Sequence, residues 1–313
     1  MITRKIAFNS FDSKPLHLVN WKSENPEEIK GVLQLIHGMA EHIMRYHELA
    51  KVFCDNGYIV YGHDQRGHGK SLGKDDVIGF IAEENGWDIY LQDVHAVNQF
   101  IEEENPGKPI FILGHSMGAI VTSAYRQKYD NPNVKGFILS ALAFEQDFLS
   151  NLGIGVASVQ KLFKGKISKA KLHNKLSFGA FNKPFKPNRT NYDWLSRDDH
   201  EVDKYIADKY CGAVFTVQFF NDLLQGLKEI YKKDNLKKIN KSVPVLLFAG
   251  TSDPVSGGSK KFNQTKEILN KYSDDLSYNL YEGGRHEMLN EINREEVKLD
   301  IFNWVQSKIE KRS

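Results

Sequence analysis

The sequence has little cysteine, little net charge and no long apolar run. Only two of its 313 residues are cysteines, Cys54 and Cys211, which are too few for a disulfide framework and lie in no CxxC spacing. No window approaches the roughly 18 consecutive apolar residues of a membrane span, and no apolar run follows the basic residues near the N-terminus, so we expect no signal peptide. The formal net charge of +2 gives no reason to expect a nucleic-acid partner. These absences predict a cytoplasmic protein with two unpaired thiols.

Motifs for metals and nucleotide cofactors are also missing. The chain contains no HExxH, no GxGxxG and no GxxxxGK[ST]. Histidines gather at His37, His42 and His47 and again at His63 and His68, but no His-x-x-x-His pair comes with a glutamate that would complete a zinc site. We therefore predict that the protein uses no metal and no organic cofactor.

What the sequence does contain is an alternation of short β-branched or aromatic runs with longer helical patterns. Most of the runs are continuously apolar, as strands buried on both faces should be. The predicted strands are Ile2–Phe8, Leu16–Trp21, Gly31–Ile36, Tyr58–Tyr61, Pro109–Leu113, Val134–Leu139, Val243–Phe248 and Leu276–Tyr281. The predicted helices are Met44–Asn56, Trp87–Glu104, Met117–Tyr129, Lys260–Lys271 and Glu295–Ile309. This pattern predicts an α/β fold with a mostly parallel sheet of about eight strands flanked by helices.

The alternation breaks between about residues 145 and 240. This segment carries helical patterns, several Phe and Pro residues and no clear strand. We interpret it as a helical cap inserted after the sixth strand, over a core made of residues 1–144 and 241–313. A surface excursion that covers nothing is the alternative.

The strongest local signal is Gly114-His115-Ser116-Met117-Gly118, a G-x-S-x-G directly after the predicted strand Pro109–Leu113. A nucleophilic serine must stand on a sharp strand-to-helix turn, and small residues two positions before and after it allow that turn to pack closely. A helix beginning at Met117 also directs its N-terminal amides and the positive end of its dipole toward developing negative charge. Ser116 is therefore the predicted nucleophile.

A serine hydroxyl needs a base, and the base needs an orienting acid. In a strand–turn–helix hydrolase of this kind the chain order is serine, acid, histidine. Of the 11 histidines only His286 follows the last predicted strand, in a loop whose two glycines allow it to bend back. Asp253, just past the strand Val243–Phe248, is the predicted acid, although an Asx-type turn before Pro254 would also explain it. Glu145, after the preceding strand, is the competing acid.

The predicted oxyanion hole consists of two backbone N–H groups. One belongs to Met117, and the other to Met39, where Gly38 lets the backbone turn toward the serine. The methionine side chains are then free to line an apolar acyl pocket. We also expect His37, Gly38 and His115 to contact substrate.

Taken together, these motifs resemble the monoacylglycerol lipase and lysophospholipase-like branch of the α/β hydrolases, which is related to the S33-type serine aminopeptidases. The matching segments are His37-Gly38-Met39-Ala40-Glu41-His42 with Arg45-Tyr46, Asp64-Gln65-Arg66-Gly67-His68-Gly69-Lys70-Ser71, Gly114–Gly118, Asp253-Pro254 and His286. The resemblance implies the α/β-hydrolase fold, a triad of Ser116, Asp253 and His286, oxyanion amides at Met39 and Met117, and a cap where residues 145–240 lie.

The chemistry thus predicted is hydrolysis of a medium-to-long acyl ester, such as a monoacylglycerol or lysophospholipid, through an acyl-enzyme on Ser116. An aminopeptidase or amidase of the same fold is one alternative. Such an enzyme would need carboxylates in the cap to hold the amine of its substrate. Carboxylates are present in the second half of the cap, at Asp193, Asp198, Asp199, Glu201 and Asp203. A ligand sensor that barely turns over is the other alternative. The oligomeric state is left open.

The first half of the predicted cap is basic. From Phe148 to Tyr192 there is no acidic residue, and nine basic residues occur, at Lys161, Lys164, Lys166, Lys169, Lys171, Lys175, Lys183, Lys186 and Arg189. Apolar residues from Phe148 to Phe163 are interleaved at partly helical spacing. This pattern favours peripheral contact with an anionic membrane, and a solvated lysine face explains it equally well.

Overall fold

The computed structural model describes residues 1–24, 28–142, 165–170 and 180–310. Its centre is one eight-stranded sheet with the strand order β1-β2-β4-β3-β5-β6-β7-β8. The strands are β1 (Ile2–Asn9), β2 (Pro15–Lys22), β3 (Gly31–Ile36), β4 (Tyr58–His63), β5 (Ile110–His115), β6 (Val134–Ser140), β7 (Val245–Gly250) and β8 (Leu276–Tyr281). β2 is antiparallel to β1 and β4, and the ladders from β4 to β8 are all parallel. The predicted sheet, with its eight mostly parallel strands, is confirmed.

The helices of the described residues cover this sheet on both faces. They are α1 (His47–Cys54), α2 (Gly86–Glu104), α3 (Met117–Lys128), α4 (Asp199–Ala207), α5 (Val217–Tyr231), α6 (Lys233–Leu236), α7 (Gly258–Asn270) and α8 (Arg294–Glu310). Short 3-10 turns add Ile43–Tyr46, Gly69–Ser71, Lys183–Phe185 and Met288–Asn290. No helix in the described part of the chain is both long enough and apolar enough to cross a bilayer.

Two apolar cores lie on the two faces of the sheet. One core gathers side chains of α1 and α8, including Phe53 and Trp304, against the strands. The other gathers those of α2, α3, α5 and α7, including Val94 and Phe262. Because both faces are covered, every residue of β3, β5 and β7 is buried, which is why these strands read as continuous apolar runs.

The chain between β6 and β7 contains the predicted cap. Its described parts hold helices and one isolated antiparallel bridge between Lys169 and Thr216, but no strand. α5 packs on the core, since a Cβ on Gly226 would lie 2.3 Å from the ring of Trp87 in α2. The cap boundaries at 145 and 240 stay a prediction, and the packing of α5 indicates that the sheet's helical cover resumes before residue 240. The apolar positions from Phe148 to Phe163 lie outside the described residues.

Candidate active site

Ser116 lies on a sharp turn between β5 and α3. Its backbone has φ 53° and ψ −115°, a region that residues with a side chain rarely occupy. The turn closes only because its neighbours are small: a Cβ on Gly114 would lie 2.1 Å from the carbonyl oxygen of Gly118, and one on Gly118 would lie 2.1 Å from that of Ile36. The turn therefore holds the serine at the carboxyl end of the central strand.

His286 and Asp253 complete a hydrogen-bonded chain with Ser116. His286 Nε2 is 3.0 Å from Ser116 Oγ, and His286 Nδ1 is 3.0 Å from Asp253 Oδ1. An ionised carboxylate only accepts, so His286 carries its proton on Nδ1, and Nε2 is free to accept the serine proton. The three residues follow β5, β7 and β8, whose carboxyl ends meet at one edge of the sheet.

The loops after β7 and β8 are packed tightly enough to fix this geometry. A Cβ on Gly250 would lie 2.0 Å from the carbonyl oxygen of Gly284, and Ser252 N donates to that same oxygen at 2.9 Å. Gly283 has φ 66°, a conformation that favours glycine and turns the chain toward His286. A Cβ on Gly284 would lie 2.5 Å from Sδ of the buried Met288, so the second glycine of the predicted bend is needed for packing and the first for its backbone angle.

Burial and mutual charge shift the pKa values of the acid and the base in opposite directions. Burial would raise the pKa of Asp253, but the facing His286 holds it below its ordinary value. Burial would lower the pKa of His286, but the Asp253 carboxylate raises it above its ordinary value. Asp253 Oδ1 also accepts from the Val255 amide at 2.8 Å. Glu145, the competing acid, lies outside the described residues.

Trp194, which no sequence pattern singled out, forms one wall around the base. Its ring centroid is 5.1 Å from that of His286, and its carbonyl oxygen accepts the His286 amide at 3.4 Å. Leu195 accepts the Glu287 amide in the same way at 2.8 Å. A segment between β6 and β7 therefore lies directly against the loop that carries His286.

Met39 and Met117 both line the cavity beside Ser116. Met117 is the first residue of α3, so its amide is one of the helix N–H groups without a partner inside the helix. Gly38 is held by its own amide, which donates to Glu41 Oε1 at 2.6 Å. A side chain at Gly38 would collide with that carboxylate, because its Cβ would lie 2.7 Å from Glu41 Oε1.

A buried ion cluster joins the loop after β3 to the histidine loop. Arg45 donates to Glu41 at 2.8 Å and through both terminal nitrogens to Glu287 at 2.6 Å. Tyr46 donates to Glu41 Oε1 at 2.9 Å. Burial would raise the pKa of Glu41, but the charge of Arg45 lowers it to about 2. Sequence reasoning did not identify this cluster; its one local signal is the i, i+4 spacing of Glu41 and Arg45.

The cavity above Ser116 is largely apolar. It encloses about 550 Å³ of non-atom space, including solvent at its mouth. Its described apolar lining comprises Met39, Met117, Ile120, Phe181, Trp194, Leu195, Leu223 and Val255. The side chains come from the core, from α5 and from the segment before α4, so the cavity is shaped to enclose a hydrocarbon group.

Of the three residues expected to contact substrate, Gly38 and His115 line this cavity and His37 does not. His37 is fully buried, its Nδ1 is 2.7 Å from the carbonyl oxygen of Gly38, and its Nε2 accepts from the Gln65 amide at 2.9 Å. The structure therefore places His37 behind the loop, where it holds the backbone. His115 is 3.0 Å from Ser140 Oγ, and burial together with the charge of His286 lowers its pKa to about 4.

The loop after β4 is held in place by Asp64, Arg66 and Ser71. Asp64 accepts from the amides of Ile43 and Lys70 at 2.8 and 2.7 Å. Ser71 donates to the Asp64 carbonyl oxygen, and Arg66 pairs with Asp12 and Asp93. This loop forms the floor on which the loop after β3 rests.

Known proteins resemble this chain along most of its length. A monoglyceride lipase of Homo sapiens is 29% identical over 91% of this chain and 84% of its own length. A monoacylglycerol lipase of Mycolicibacterium smegmatis is 28% identical over 89% of each chain. Among solved structures, a highly thermostable carboxyl esterase from Bacillus coagulans, in complex with glycerol, superposes with a TM-score of 0.88 over 99% of each chain at 22% identity. The structural likeness shows an α/β-hydrolase fold.

A family model matches residues 27–293, which include the serine turn, the acid and the histidine. Since that match covers most of the chain, the protein belongs to the α/β-hydrolase family described as serine aminopeptidase, S33.

Proposed function

We propose that this protein is a serine carboxylic-ester hydrolase that cleaves medium-to-long acyl esters such as monoacylglycerols or lysophospholipids. The observation that carries the proposal is the Ser116–His286–Asp253 chain opening into an apolar cavity. The lipase names of its relatives support the same substrate class.

In the proposed reaction Ser116 Oγ attacks the ester carbonyl carbon while His286 Nε2 takes the serine proton. The imidazolium is stabilised by Asp253, which lies 3.0 Å from Nδ1. The C–O bond of the tetrahedral intermediate then breaks, and the alcohol leaves with the proton from His286. Water then attacks the acyl-serine carbonyl carbon while His286 takes its proton, and the acyl–Oγ bond breaks as that proton passes to Ser116 Oγ and the carboxylic acid is released.

The amides of Met39 and Met117 are the proposed oxyanion donors. Both residues border the cavity next to Ser116, and the position of Met39 follows from the Gly38–Glu41 hydrogen bond. Because these donors are fixed before substrate binds, they need no reorganisation during the reaction, and one such donor contributes roughly 3–4 kcal/mol to lowering the barrier.

The cavity favours an ester over a peptide substrate. An aminopeptidase needs a carboxylate that is available to the substrate amine. The two carboxylates among the described lining residues, Glu41 and Glu287, both accept hydrogen bonds from Arg45. The apolar lining instead offers favourable burial of an acyl chain, worth about 0.8 kcal/mol per methylene.

A substrate panel tests the proposal. It should compare monoacylglycerols and p-nitrophenyl esters of increasing chain length, a lysophospholipid and aminoacyl anilides, with Ser116→Ala as the blank. We expect kcat/KM on esters to rise by up to about fourfold per methylene until the cavity is filled. Faster cleavage of the anilides would favour the aminopeptidase, and ester turnover no higher than that of Ser116→Ala would favour a sensor.

We further propose that the basic segment before α4 contacts anionic lipid surfaces. Lys169, Lys183 and Lys186 are exposed, whereas Lys166 pairs with Glu83 and Arg189 pairs with Asp203. The other basic residues of this segment, Lys161, Lys164, Lys171 and Lys175, lie outside the described residues. Each basic residue near an anionic membrane contributes about 1 kcal/mol of attraction.

Vesicle sedimentation at low and high salt tests this contact. We expect binding to phosphatidylserine vesicles at low salt, its loss at high salt, and weaker binding by Lys169→Gln/Lys183→Gln/Lys186→Gln. Equal and negligible binding to neutral and anionic vesicles would show that the lysines are only a solvated face.

A further inference from the structure

Three side chains of different chemistry converge outside the catalytic cavity, where the chain after α4 meets the loop after β3. They are His42, Asp208 and Cys211, and one ligand atom from each lies within 4.8 Å of the other two. His42 Nε2 and Asp208 Oδ2 are already 2.8 Å apart. Within the described part of the chain, this cluster brings an imidazole, a carboxylate and a thiol to the spacing expected of metal ligands.

Local hydrogen bonds hold the three ligands in place. The Cys211 amide donates to the Asp208 carbonyl oxygen at 3.0 Å, which forms a turn that brings both side chains to one side. Asp208 Oδ1 accepts from the Tyr210 amide at 2.8 Å, which leaves Oδ2 directed at His42. The His42 ring packs edge-on against Tyr210, with centroids 5.7 Å apart. Partners of this kind orient metal ligands in proteins.

The two chain segments that carry the ligands are also fastened together. Gly212 N and Tyr205 Oη both donate to the carbonyl oxygen of Ala40, each at 2.9 Å. His42 lies two residues beyond Ala40, and Cys211 lies beside Gly212. The ligands are thus brought together by the fold itself, although 166 residues of sequence separate His42 from Asp208.

We propose that His42, Asp208 and Cys211 form a binding site for Zn²⁺, with the fourth position open to water. Zinc favours nitrogen, sulfur and carboxylate oxygen in tetrahedral arrangement, whereas Mg²⁺ and Ca²⁺ favour oxygen alone. With zinc–ligand bonds of about 2.0–2.3 Å, tetrahedral ligands stand roughly 3.3–3.7 Å apart. Starting from 2.8 Å for the His42–Asp208 pair and within 4.8 Å for the whole cluster, this requires shifts of a few tenths of an ångström for His42 and Asp208 and of up to about 1 Å for Cys211. A solvent-open groove bordered by His42 and Asp208 gives the ion access.

Three nearby cations, Arg45, Lys204 and Arg294, oppose the ion only weakly because each is paired with a carboxylate. The ammonium of Lys209 lies over the Tyr210 ring, 4.9 Å from its centroid. Arg45 lies close to Cys211 but binds Glu41 and Glu287. At the groove, Lys204 pairs with Glu201, and Arg294 pairs with Asp198.

Binding changes the protonation of the cluster in a defined way. Zn²⁺ replaces the Cys211 thiol proton, which goes to solvent, and His42 keeps one proton on Nδ1 while Nε2 binds the ion. Because the ion and the proton compete for the Cys211 sulfur, affinity increases with rising pH. Because the site lies outside the catalytic cavity, its occupancy is measured independently of ester hydrolysis.

Cobalt(II) titration of the full-length protein tests the site, because a thiolate bound to Co²⁺ produces a charge-transfer band in the near ultraviolet. The variants are Cys211→Ser, His42→Gln and, as the matched control, Cys54→Ser, which removes the other thiol. We expect one equivalent of Co²⁺ with the thiolate band in wild type and Cys54→Ser, displaced by one equivalent of Zn²⁺. Cys211→Ser should abolish the band, and His42→Gln should weaken binding at least tenfold.

Circular dichroism of each variant establishes that it is folded, and Asp208→Asn provides a further ligand variant on a partly exposed side chain. Absence of the thiolate band in wild type, or a band that persists unchanged in Cys211→Ser, would overturn the proposal. A wild-type protein that binds Co²⁺ with the thiolate band but hydrolyses no ester would contradict only the proposed function.

Discussion

At the scale of single residues, the proposed nucleophile Ser116 lies beside two histidines whose pKa values are shifted in opposite directions. His115 and His286 lie with ring centroids 4.8 Å apart. Burial lowers the pKa of His115 to about 4, so it is neutral and structural at neutral pH. Asp253 raises the pKa of His286 despite its burial. Of these two histidines, His286 is the one whose protonation opposes catalysis, because the base must be neutral to accept the serine proton.

Because the pKa values of His115 and His286 are shifted in opposite directions, the pH dependence of kcat/KM shows which of them is the base. We expect kcat/KM to fall as pH decreases through the raised pKa of His286, with a midpoint above its ordinary value of 6.5. In Asp253→Asn the raising charge is gone, so the midpoint should move to lower pH while kcat falls roughly 10³–10⁴-fold, because the orientation of the imidazole is lost. Steady-state ester hydrolysis across pH gives both quantities.

Two further variants complete that experiment. Asp88→Asn removes an exposed carboxylate paired with Lys128 and should leave the profile unchanged. His115→Gln should leave the midpoint nearly unchanged, because His115 is already neutral in the pH range where the raised pKa of His286 lies. A wild-type midpoint near pH 4 would instead identify His115 as the titrating group.

At the scale of structural elements, Arg45 joins the loop after β3 to the histidine loop through Glu41 and Glu287. Arg45→Met leaves both carboxylates buried without their partner, which typically costs about 3–5 kcal/mol of unfolding free energy. Because the pKa of Glu41 is lowered in the folded protein, the stabilisation from its pair with Arg45 is present at pH values above the pKa that this carboxyl group has in the unfolded chain. The stabilisation is lost as the pH falls toward 2. The cost should therefore be larger at neutral than at acidic pH.

Urea unfolding of Arg45→Met at the two pH values measures this dependence. Arg189→Met is the control, since Arg189 forms an exposed pair with Asp203 and should change stability little. Equal stability of Arg45→Met and wild type at neutral pH would show that the cluster does not hold the two loops.

Helix α5 allows a second test at the scale of structural elements, because two adjacent leucines of this helix have different surroundings. Leu223 lines the cavity, whereas Leu224 is buried in the core without lining it. Truncation to alanine should destabilise either variant by roughly 2–5 kcal/mol, but only Leu223→Ala enlarges the cavity. We expect its optimum acyl chain to lengthen by about two or three methylenes in a monoacylglycerol series. If Leu224→Ala showed the same shift in optimum chain length, the shift would result from lost stability and not from a larger cavity.

The sequence predicted four elements almost to the residue, among them β3, which is buried along its whole length, and β8, an edge strand with only Tyr281 buried. β3 and β8 were predicted to the residue, and α2 and α3 to within one residue at each end. Strand ends such as His115 were missed because the strand continues into the catalytic turn, where polar residues replace apolar ones. Trp194 and the Glu41–Arg45–Glu287 cluster gave no adequate signal, since their partners come from distant parts of the chain.

At the scale of the whole molecule, the order of residues along the chain was enough to predict the site, because the loops that follow parallel strands all lie at one edge of the sheet. That rule assigned Ser116, His286 and Asp253 before any distance was known, and the structure brings them within hydrogen-bonding distance. The same rule says nothing about residues from an insertion, which reach the site through tertiary packing alone. His42 and Cys211 illustrate this: no local spacing joins them, and the sequence therefore predicted no metal site.

The most direct measurement of the central claim is hydrolysis of a monoacylglycerol by Ser116→Ala, compared with wild type and with Ser123→Ala. Ser123 lies in the same helix, α3, and its hydroxyl donates to the Ala119 carbonyl oxygen at 2.8 Å, so it controls for loss of a buried serine. We expect kcat to fall by roughly 10⁴–10⁶-fold in Ser116→Ala and to stay within tenfold of wild type in Ser123→Ala. Hydrolysis by Ser116→Ala within tenfold of wild type would contradict the assignment of Ser116 as the nucleophile.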